Sequence, residues 1–298
     1  MRRTCAVGVH EIGPGRPLAV IAGPCTLESV ELGLEVGERV RDACAELGLP
    51  YVFKASYDKA NRSRLAGARG LGLERGLEAL ASIGRTLGVP VTTDVHEPAQ
   101  CAAAAEVVDI LQIPAFLCRQ TDLLVAAGEA ASAHGRAVNI KKGQFLAPAE
   151  MVGAVGKVRD SGCEQMLVTE RGTFFGYHRL VTDFIGMGDL IDPPGDWGVE
   201  AMPPVVFDAT HSTQHPGLGS STGGRADRAP LLARAAVASG VHAVFIETHP
   251  EPSKAWSDGA TMIPLAEMPR VLSSLAAIRG ALEPAPLDSA ASGAERGV

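Results

Sequence analysis

The chain has 298 residues, of which 46% are hydrophobic and 20% are charged, so it can bury the core of one large α/β barrel or of two smaller domains. Its net charge of −7 argues against a nucleic-acid-binding surface, because such surfaces usually carry a basic excess that offsets phosphates. No apolar run reaches the roughly 18 residues of a membrane-spanning helix, and residues 1–17 lack the apolar segment of a secretion signal, which predicts a soluble, cytoplasmic protein.

Segments typical of buried strands and of amphipathic helices alternate along the chain. Residues 1–17 are expected to form a small cap or hairpin, and the apolar run LAVIA that follows predicts the first strand. From Ser29 to Leu47 the apolar residues recur at helical spacing, and Gly48 stands just past the predicted end. The same unit begins again at YVFKAS, PVTTDVHE, VDILQIPA and AVNIKKG, and three more strands are predicted at MLVTERG, PVVFDATH and AVFIETHP.

Eight apolar strands that alternate with helices predict a single α/β domain, a (β/α)8 TIM barrel over residues 18–282. The rival fold is an open doubly wound sheet, which usually carries a GxGxxG phosphate loop after its first strand, where this chain has GPCTLES. Residues 182–204 are rich in Pro and Gly and only weakly helical, so they predict an irregular crossover between the sixth and seventh strands. Residues 283–298 have the composition of a disordered tail.

Polar residues follow the predicted strands, where the strands of a barrel meet at one rim and ligands bind. Burying so many polar groups without a ligand would cost considerable free energy, so this rim is the predicted active site. Its polar residues, in chain order, are Cys25, Lys54, Asp94, His96, Gln112, Lys141, Lys142, Arg171, Asp208, His211, Glu247 and His249.

Basic residues at this rim predict a site for a small, multiply anionic molecule. Lys54 and Lys59 lie in the segment PYVFKASYDKANRSR, and Lys141 and Arg171 follow two other strands. Ammonium and guanidinium groups suit phosphate and carboxylate, and the planar fork of Arg171 favours two-point contact. The alternative for PYVFKASYDKANRSR alone is a solvated, charged loop.

A second group of polar residues predicts a metal site. Cys25, His211, Glu247 and Asp258 follow strands one, seven and eight, which become neighbours only if the barrel closes. Together they offer the mixed S, N and O ligands of a divalent transition metal such as Fe, Mn, Co or Zn. Taken singly, Cys25 is as typical of a small core residue, and His211 of a hydrogen-bonding one.

The competing chemistry is a Schiff-base aldolase. A lysine at a strand end whose pKa is lowered by neighbouring cations is a plausible nucleophile, and Lys54 and Lys141 both qualify. A lysine that binds phosphate stays charged, however, and is then a poor nucleophile.

Eight motifs stand in order between about Leu18 and about Leu282, namely AGPCTLES, YVFKASYDKANRSR, TDVHEP, DILQIPAFLCRQTDLL, NIKKGQF, ERGTFFGY, FDATHSTQHPG and FIETHPEPSKAWSDGATMIPL. In this set the chain resembles the 3-deoxy-D-manno-octulosonate 8-phosphate synthase family. The resemblance implies a (β/α)8 barrel, assembled as a homotetramer, that condenses phosphoenolpyruvate with arabinose 5-phosphate and releases inorganic phosphate. It also implies a role in lipopolysaccharide biosynthesis.

By position, the resemblance implies two substrate sites. The phosphoenolpyruvate site would comprise Lys54, Lys59, Gln112, Lys141 and Arg171, and the arabinose 5-phosphate site Asn61, Arg62 and Ser63, with Ser56 as a further substrate-binding candidate. Arg119 is implied to reach the site of a neighbouring subunit. The residues implied to be catalytic are Cys25, Lys59, His211 and Asp258.

The family has metal-dependent and metal-free branches, and Cys25 resembles the metal-dependent one. In that branch the ligands would be Cys25, His211, Glu247 and Asp258, whereas the metal-free branch has Asn in place of Cys25. Ser257 also differs from the Cys that is typical of metal-free members. The resemblance thus implies a divalent metal ion and no organic cofactor.

Two alternatives stay open. The related heptulosonate 7-phosphate synthases use erythrose 4-phosphate on the same barrel, but they carry a KPRT-like motif where this chain has KANRS. The chain could also be a non-catalytic barrel that binds sugar phosphates. It departs from the family pattern in the crossover around residues 189–202 and in its tail.

Overall fold

The computed structural model describes residues 4–60, 69–216 and 223–282. Asn61, Arg62 and Ser63 of the expected arabinose 5-phosphate site, and the predicted tail 283–298, lie outside these residues. The described N-terminal segment contains two short strands, β1 (Cys5–Val7) and β2 (His10–Ile12), which pair antiparallel as a hairpin.

Eight parallel strands then form a closed ring. In chain order the remaining strands are β3 (Ala19–Gly23), β4 (Tyr51–Lys54), β5 (Val91–Asp94), β6 (Ile110–Ile113), β7 (Ala137–Lys141), β8 (Met166–Glu170), β9 (Val205–Asp208), the short pair β10 (Gln214–His215) and β11 (Gly223–Gly224), β12 (Ala243–His249) and β13 (Ile263–Pro264). Strands β3 to β9 pair in sequence order, and β12 pairs with both β9 and β3. This ring confirms the predicted (β/α)8 barrel.

Eight helices surround the ring: α1 (Val30–Glu46), α2 (Leu73–Leu87), α3 (Cys101–Val107), α4 (Thr121–His134), α5 (Met151–Asp160), α6 (Phe184–Ile191), α7 (Ala229–Ala238) and α8 (Met268–Leu282). The Ser29 hydroxyl accepts the backbone N–H of Leu32 and caps α1, while Gly88 and Gly135 end α2 and α4 in the left-handed conformation.

The expectation of an irregular crossover over residues 182–204 was only partly right. Helix α6 is regular, because the Asp183 carboxylate accepts the backbone N–H groups of Ile185 and Gly186 and caps its first turn. Glycines at positions 186 and 188 weaken the helical pattern and hide this helix in the sequence. After Ile191 the crossover is largely irregular, with one short 3-10 turn at Gly195–Trp197.

Alternation along the strands divides the core into two layers. Residues such as Ile21, Val52 and Phe245 point into the barrel and pack together, whereas their neighbours Val20 and Phe53 pack outward against the helices. A residue two positions beyond an inward-facing one must also point inward. This rule decides which polar residues reach the rim.

The N-terminal hairpin closes the opposite end of the barrel. Cys5, Val7 and Ile12 are buried in the same cluster as the inward-facing barrel residues. The backbone N–H of Ala6 donates to Gln165 Oε1 at 2.7 Å, which ties β1 to the start of β8. Among the described residues, the structure contains no helix with the length and apolar character needed to cross a membrane.

Candidate active site

Five buried polar residues sit inside the rim because of strand alternation. Each lies two positions beyond an inward-facing residue at the carboxyl end of its strand: Lys54 on β4, Gln112 on β6, Lys141 on β7, Asp208 on β9 and Glu247 on β12. Their backbones are fixed by the barrel, so their side chains meet over its apolar interior.

The four expected metal ligands converge at this rim. Ligand atoms of Cys25, Glu247 and Asp258 all lie within 4.8 Å of one another, and the Cys25 thiol donates to Asp258 Oδ2 at 3.2 Å. His211 Nε2 lies 3.5 Å from Glu247 Oε2. Asp258 adopts a left-handed backbone conformation with φ of 52°, which aspartate tolerates better than most residues other than glycine.

The chemistry of this cluster fits a divalent cation. Burial raises the pKa of the Cys25 thiol well above its usual value, with the nearby Glu247 carboxylate adding to the effect. Burial also opposes ionisation of Glu247, but the Lys54 ammonium and His211 outweigh it and lower the pKa of Glu247 to about 2. Glu247 Oε2 has no hydrogen-bond partner among the described residues. A cation would satisfy this oxygen and favour the thiolate.

Lys54 lies inside the ligand cluster rather than apart from it. Its Nζ donates to the backbone oxygen of Cys25 at 2.9 Å and forms an ion pair with Glu247 Oε1. The basic group and the metal-ligand group predicted from the sequence are therefore in direct contact at Lys54. The reason is topological: β4 is hydrogen-bonded to β3, and β3 is hydrogen-bonded to β12.

Asp208 connects a lysine to the histidine ligand candidate. Its Oδ2 lies 2.6 Å from Lys141 Nζ and 2.7 Å from His211 Nδ1. Burial opposes ionisation of Asp208, but His211 and Lys141 outweigh it and hold the pKa of this carboxyl far below its usual range. Because Nδ1 faces Asp208, the other ring nitrogen of His211 is directed to Glu247.

Arg171 and Gln112 present unsatisfied polar atoms. Arg171 Nη2 donates to Gln214 Oε1 and, at 3.3 Å, to the backbone oxygen of His211. Arg171 Nε and Gln112 Oε1 are buried and have no hydrogen-bond partner among the described residues. Since buried polar atoms are normally paired, these two are candidates to contact a ligand.

A further part of the rim contains Lys59, Ser56, Asp94 and His96. Lys59 Nζ donates to Ser56 Oγ at 3.2 Å, and Asp94 Oδ2 lies 2.8 Å from His96 Nε2. Burial disfavours the ammonium of Lys59, but Cys25 and Glu247 outweigh it and raise the pKa of this lysine. Lys59 is thus charged and close to the ligand cluster.

Comparison with known proteins decides the family. The model of the DAHP synthetase I family matches residues 6–282. The chain belongs to this family. Proteins named 2-dehydro-3-deoxyphosphooctonate aldolase are similar over nearly the whole chain. The relative from Nitrobacter winogradskyi is 52% identical, with 94% of this chain and 95% of the relative covered.

Two further relatives of this name show the same degree of similarity. The protein from Granulibacter bethesdensis is 52% identical, with 92% of this chain and 93% of the relative covered. The protein from Methylobacterium radiotolerans is 53% identical, with 90% of this chain and 93% of the relative covered. Because coverage is high on both sides, the similarity includes the whole barrel and its rim.

Three further residues named in the sequence analysis have different positions: Lys142 lies outside the rim, His249 lies at its edge, and Arg119, which is expected to reach a neighbouring subunit, lies on the surface. Lys142 points outward from β7, where it is fully buried and pairs with Glu170 at 3.3 Å. His249 Nε2 lies 3.6 Å from Glu28, at the edge of the rim. Arg119 is exposed, and its guanidinium lies 3.6 Å from Glu150.

Two contributors were missed in the sequence. Asp208 was placed at the rim but given no role, although strand alternation puts it on the same face as Lys141 and so could have found it. Gln214 was not singled out, because it follows a 3-10 turn, His211–Thr213, in which no periodicity indicates side-chain direction. It contacts both Arg171 and Asp258.

Two surface grooves lie away from this site. One, of about 440 Å³, separates the start of α1 from α2, and the other, of about 540 Å³, separates α2 from α3. Both are lined by helix residues, with Glu78 common to the two, and neither contains a residue of the rim.

Proposed function

We propose that this protein condenses phosphoenolpyruvate with D-arabinose 5-phosphate and water to give 3-deoxy-D-manno-octulosonate 8-phosphate and inorganic phosphate. The observation that carries the proposal is whole-length similarity, at 52% identity, to an aldolase whose name specifies an octonate. Eight carbons are the sum of a three-carbon enol phosphate and a five-carbon sugar. The four-carbon erythrose 4-phosphate would give seven.

The charge distribution of the rim supports this chemistry. Both substrates are anions, and Lys59, Lys141 and Arg171 would offset their mutual repulsion while holding C3 of the enol phosphate against the aldehyde of the open-chain sugar. After the carbon–carbon bond forms, water adds at C2, and the resulting hemiketal phosphate loses phosphate by C–O cleavage. The unpaired Nε of Arg171 and Oε1 of Gln112 are the atoms we assign to substrate contact.

We also propose that Cys25, His211, Glu247 and Asp258 hold a divalent metal ion, such as Fe, Mn, Co or Zn. The grouping of Cys25, Glu247 and Asp258, with the His211 imidazole beside Glu247, supports this assignment, as does Glu247 Oε2, which has no hydrogen-bond partner among the described residues. When bound, such an ion would act as a Lewis acid toward the aldehyde or a water. Asp208 would orient the His211 ring toward it.

A Schiff-base aldolase is the second candidate, and one observation favours it. Burial lowers the pKa of Lys141, which would make its amine more nucleophilic, although the neighbouring Asp208 opposes this effect. The ion pair with Asp208 and the position of Lys141 Nζ 3.6 Å from the centre of the Phe245 ring stabilise the charged form. Borohydride reduction in the presence of substrate would leave an adduct on Lys54 or Lys141 if this alternative held; we expect none.

We further propose assembly as a homotetramer, with Arg119 near a subunit interface. Exposed apolar side chains support an interface on the loop and helix that follow β8: Phe175 is 97% exposed, Tyr177 91% and Ile185 80%. Light scattering would give the mass of the assembly. A monomer would contradict the proposal, and a Phe175→Glu variant that dissociates would support this surface as the interface.

The substrates and product suggest where the enzyme acts. We place it in the cytoplasm, where phosphoenolpyruvate is formed, and propose that its product supplies lipopolysaccharide biosynthesis.

The experiment that tests the activity is a sugar-phosphate panel. Phosphate release from phosphoenolpyruvate is measured with arabinose 5-phosphate and with erythrose 4-phosphate. We expect a clear preference for arabinose 5-phosphate. Preference for erythrose 4-phosphate would assign the heptulosonate reaction, and no release with either sugar would favour a non-catalytic binding barrel.

A further inference from the structure

Gln214 forms a bridge between the two halves of the site. Its Oε1 accepts a hydrogen bond from Arg171 Nη2, and its Nε2 donates to Asp258 Oδ1 at 3.1 Å. Arg171 belongs to the anion-binding group, and Asp258 belongs to the cluster of metal-ligand candidates. Within the described residues, Gln214 is hydrogen-bonded to a member of each.

The orientation of this amide is fixed by its neighbours. A guanidinium only donates hydrogen bonds, and an ionised carboxylate only accepts them. Asp258 acts as an acceptor in this structure, since its Oδ2 accepts hydrogen bonds from Cys25 Sγ and Ser257 Oγ. The oxygen of Gln214 must therefore face Arg171, and its nitrogen must face Asp258.

The two oxygens of Asp258 are held by different partners. Cys25 Sγ and Ser257 Oγ both donate to Oδ2, at 3.2 and 2.9 Å, whereas Gln214 Nε2 donates to Oδ1. Oδ2 is thus the oxygen turned toward the thiol, and Gln214 secures the other one.

We propose that Gln214 is a positioning residue that orients Asp258 for metal binding and Arg171 for phosphoenolpyruvate binding at the same time. This inference rests on the proposed function, because it assumes both ligands. Gln214 is not one of the proposed metal ligands, and its side-chain contacts are to Arg171 and Asp258. Its effect is to keep one carboxylate and one guanidinium in the geometry that each ligand requires.

Two substitutions of Gln214 test its hydrogen bonds to Arg171 and Asp258 separately. Gln214→Glu keeps an acceptor for Arg171 but places a second carboxylate against Asp258, and Gln214→Met removes both hydrogen bonds at similar size. Metal binding is followed by titrating metal-free enzyme with Co(II) and recording the thiolate-to-cobalt absorption. The KM for phosphoenolpyruvate is then measured at saturating Co(II).

We expect both variants to bind Co(II) at least about tenfold more weakly than wild type, the range found when a residue that supports a metal ligand is lost. Only Gln214→Met should raise the KM for phosphoenolpyruvate. A loss of Co(II) affinity below tenfold in both variants, or an unchanged KM in Gln214→Met, would overturn the inference. If Gln214 only stabilised the fold, the KM for phosphoenolpyruvate would not rise in Gln214→Met alone while Co(II) binding weakened in both variants.

The controls separate this inference from the proposed function. Gln165→Met removes a side-chain acceptor at the opposite end of the barrel and should leave both readouts unchanged. If wild type itself shows no thiolate-to-cobalt absorption, the proposed metal site fails. If wild type shows it and the Gln214 variants match wild type, only the role of Gln214 fails.

Discussion

The two ends of the barrel are both buried, yet they are built from opposite chemistry. The N-terminal end is closed by the hairpin, whose Cys5, Val7 and Ile12 are at most 1% exposed and pack on apolar barrel residues. The C-terminal end contains ionised groups that are almost as buried, among them Lys54 and Glu247. The first end removes apolar surface from water, whereas the second removes charges from water.

The contrast indicates which end supports stability and which supports function. Apolar burial stabilises the fold by about 25 cal/mol per Å². The attraction between buried charges offsets the cost of their desolvation only when their geometry and hydrogen bonds are close to ideal, so buried charges contribute little to stability. An end of the barrel that keeps charges buried and leaves Arg171 Nε and Glu247 Oε2 without a hydrogen-bond partner among the described residues is therefore expected to bind charged ligands.

The largest effect on the rate of phosphate release should come from removing the proposed divalent metal ion from the rim. Treatment with EDTA should lower the rate of phosphate release by about 10³-fold or more, because a Lewis acid supplies several kcal/mol of transition-state stabilisation. Adding Fe(II), Mn(II) or Co(II) should restore the rate. Full activity after thorough stripping would remove the metal from the account.

Cys25→Asn sharpens this test, since the family resemblance implies Asn at this position in the metal-free branch, whereas this chain has the Cys of the metal-dependent branch. Activity of this variant in EDTA would show that one substitution makes the active site independent of metal. A folded but inactive variant would show that the metal-free branch needs further changes.

Removing one cation should have the next largest effect. Lys141→Met should lower kcat/KM for phosphoenolpyruvate by about 10²–10³-fold, the range observed when one preorganised charge or donor is lost from an active site. Steady-state kinetics on the folded variant would measure this change in kcat/KM. Lys157→Met is the matched control, because Lys157 lies on α5 and its exposed ammonium donates to Thr121. Equal activity of the two variants would contradict a role for Lys141.

The other end of the barrel should respond in stability alone. Ile12→Ala should lower the free energy of unfolding by about 2–5 kcal/mol, because it leaves a cavity in the apolar plug, while kcat/KM per folded molecule stays unchanged. Denaturant unfolding and kinetics give the two values. Val9→Ala, at the tip of the same hairpin where Val9 is 86% exposed, should change stability by less than about 0.5 kcal/mol. A fall in kcat/KM for Ile12→Ala would contradict the division of roles.

The smallest effect is a difference in pH dependence between two histidines. Burial lowers the pKa of His10 in the hairpin, so stability should fall as pH drops below its unfolded value of 6.5. At the rim, burial disfavours charged His96, but Asp94 outweighs it and raises its pKa. The stability that His96 contributes is present below pH 6.5 and should be lost as pH rises through its raised pKa.

Unfolding curves between mildly acidic and mildly alkaline pH would show this difference. His10→Gln should reduce the loss of stability on the acid side, and His96→Gln should reduce the loss on the alkaline side. The same pH response in both variants would argue against opposite environments for the two residues.

Much of the fold could be predicted because the local patterns of single strands and helices agree with the eightfold repeat of the strand–helix unit along the chain. Apolar runs of strand length, glycines at helix ends and eight repeats of the unit all indicate a closed parallel barrel, and closure then brings Cys25 near Glu247. Helix α6 was not predicted as a regular helix, because its glycines weaken the helical pattern in the sequence. The Asp183 cap stabilises its first turn in the structure.

The candidate site could be predicted as a set of residues but not as a set of contacts. Lys141 and Lys142 are adjacent in sequence, and only strand alternation assigns the first to the rim and the second to the helix layer. That Lys54 contacts Glu247 follows from the order of strands around the ring. Gln214 follows a 3-10 turn, which has no periodic pattern from which the direction of its side chain could be predicted.

One measurement tests the central claim most directly: phosphate release from phosphoenolpyruvate and arabinose 5-phosphate by wild type, Lys141→Met and Ile12→Ala, each normalised to folded protein. We expect equal rates for wild type and Ile12→Ala, and a rate at least about 10²-fold lower for Lys141→Met. No release by wild type, or equal losses in the two variants, would contradict the assignment of catalysis to the charged end of the barrel.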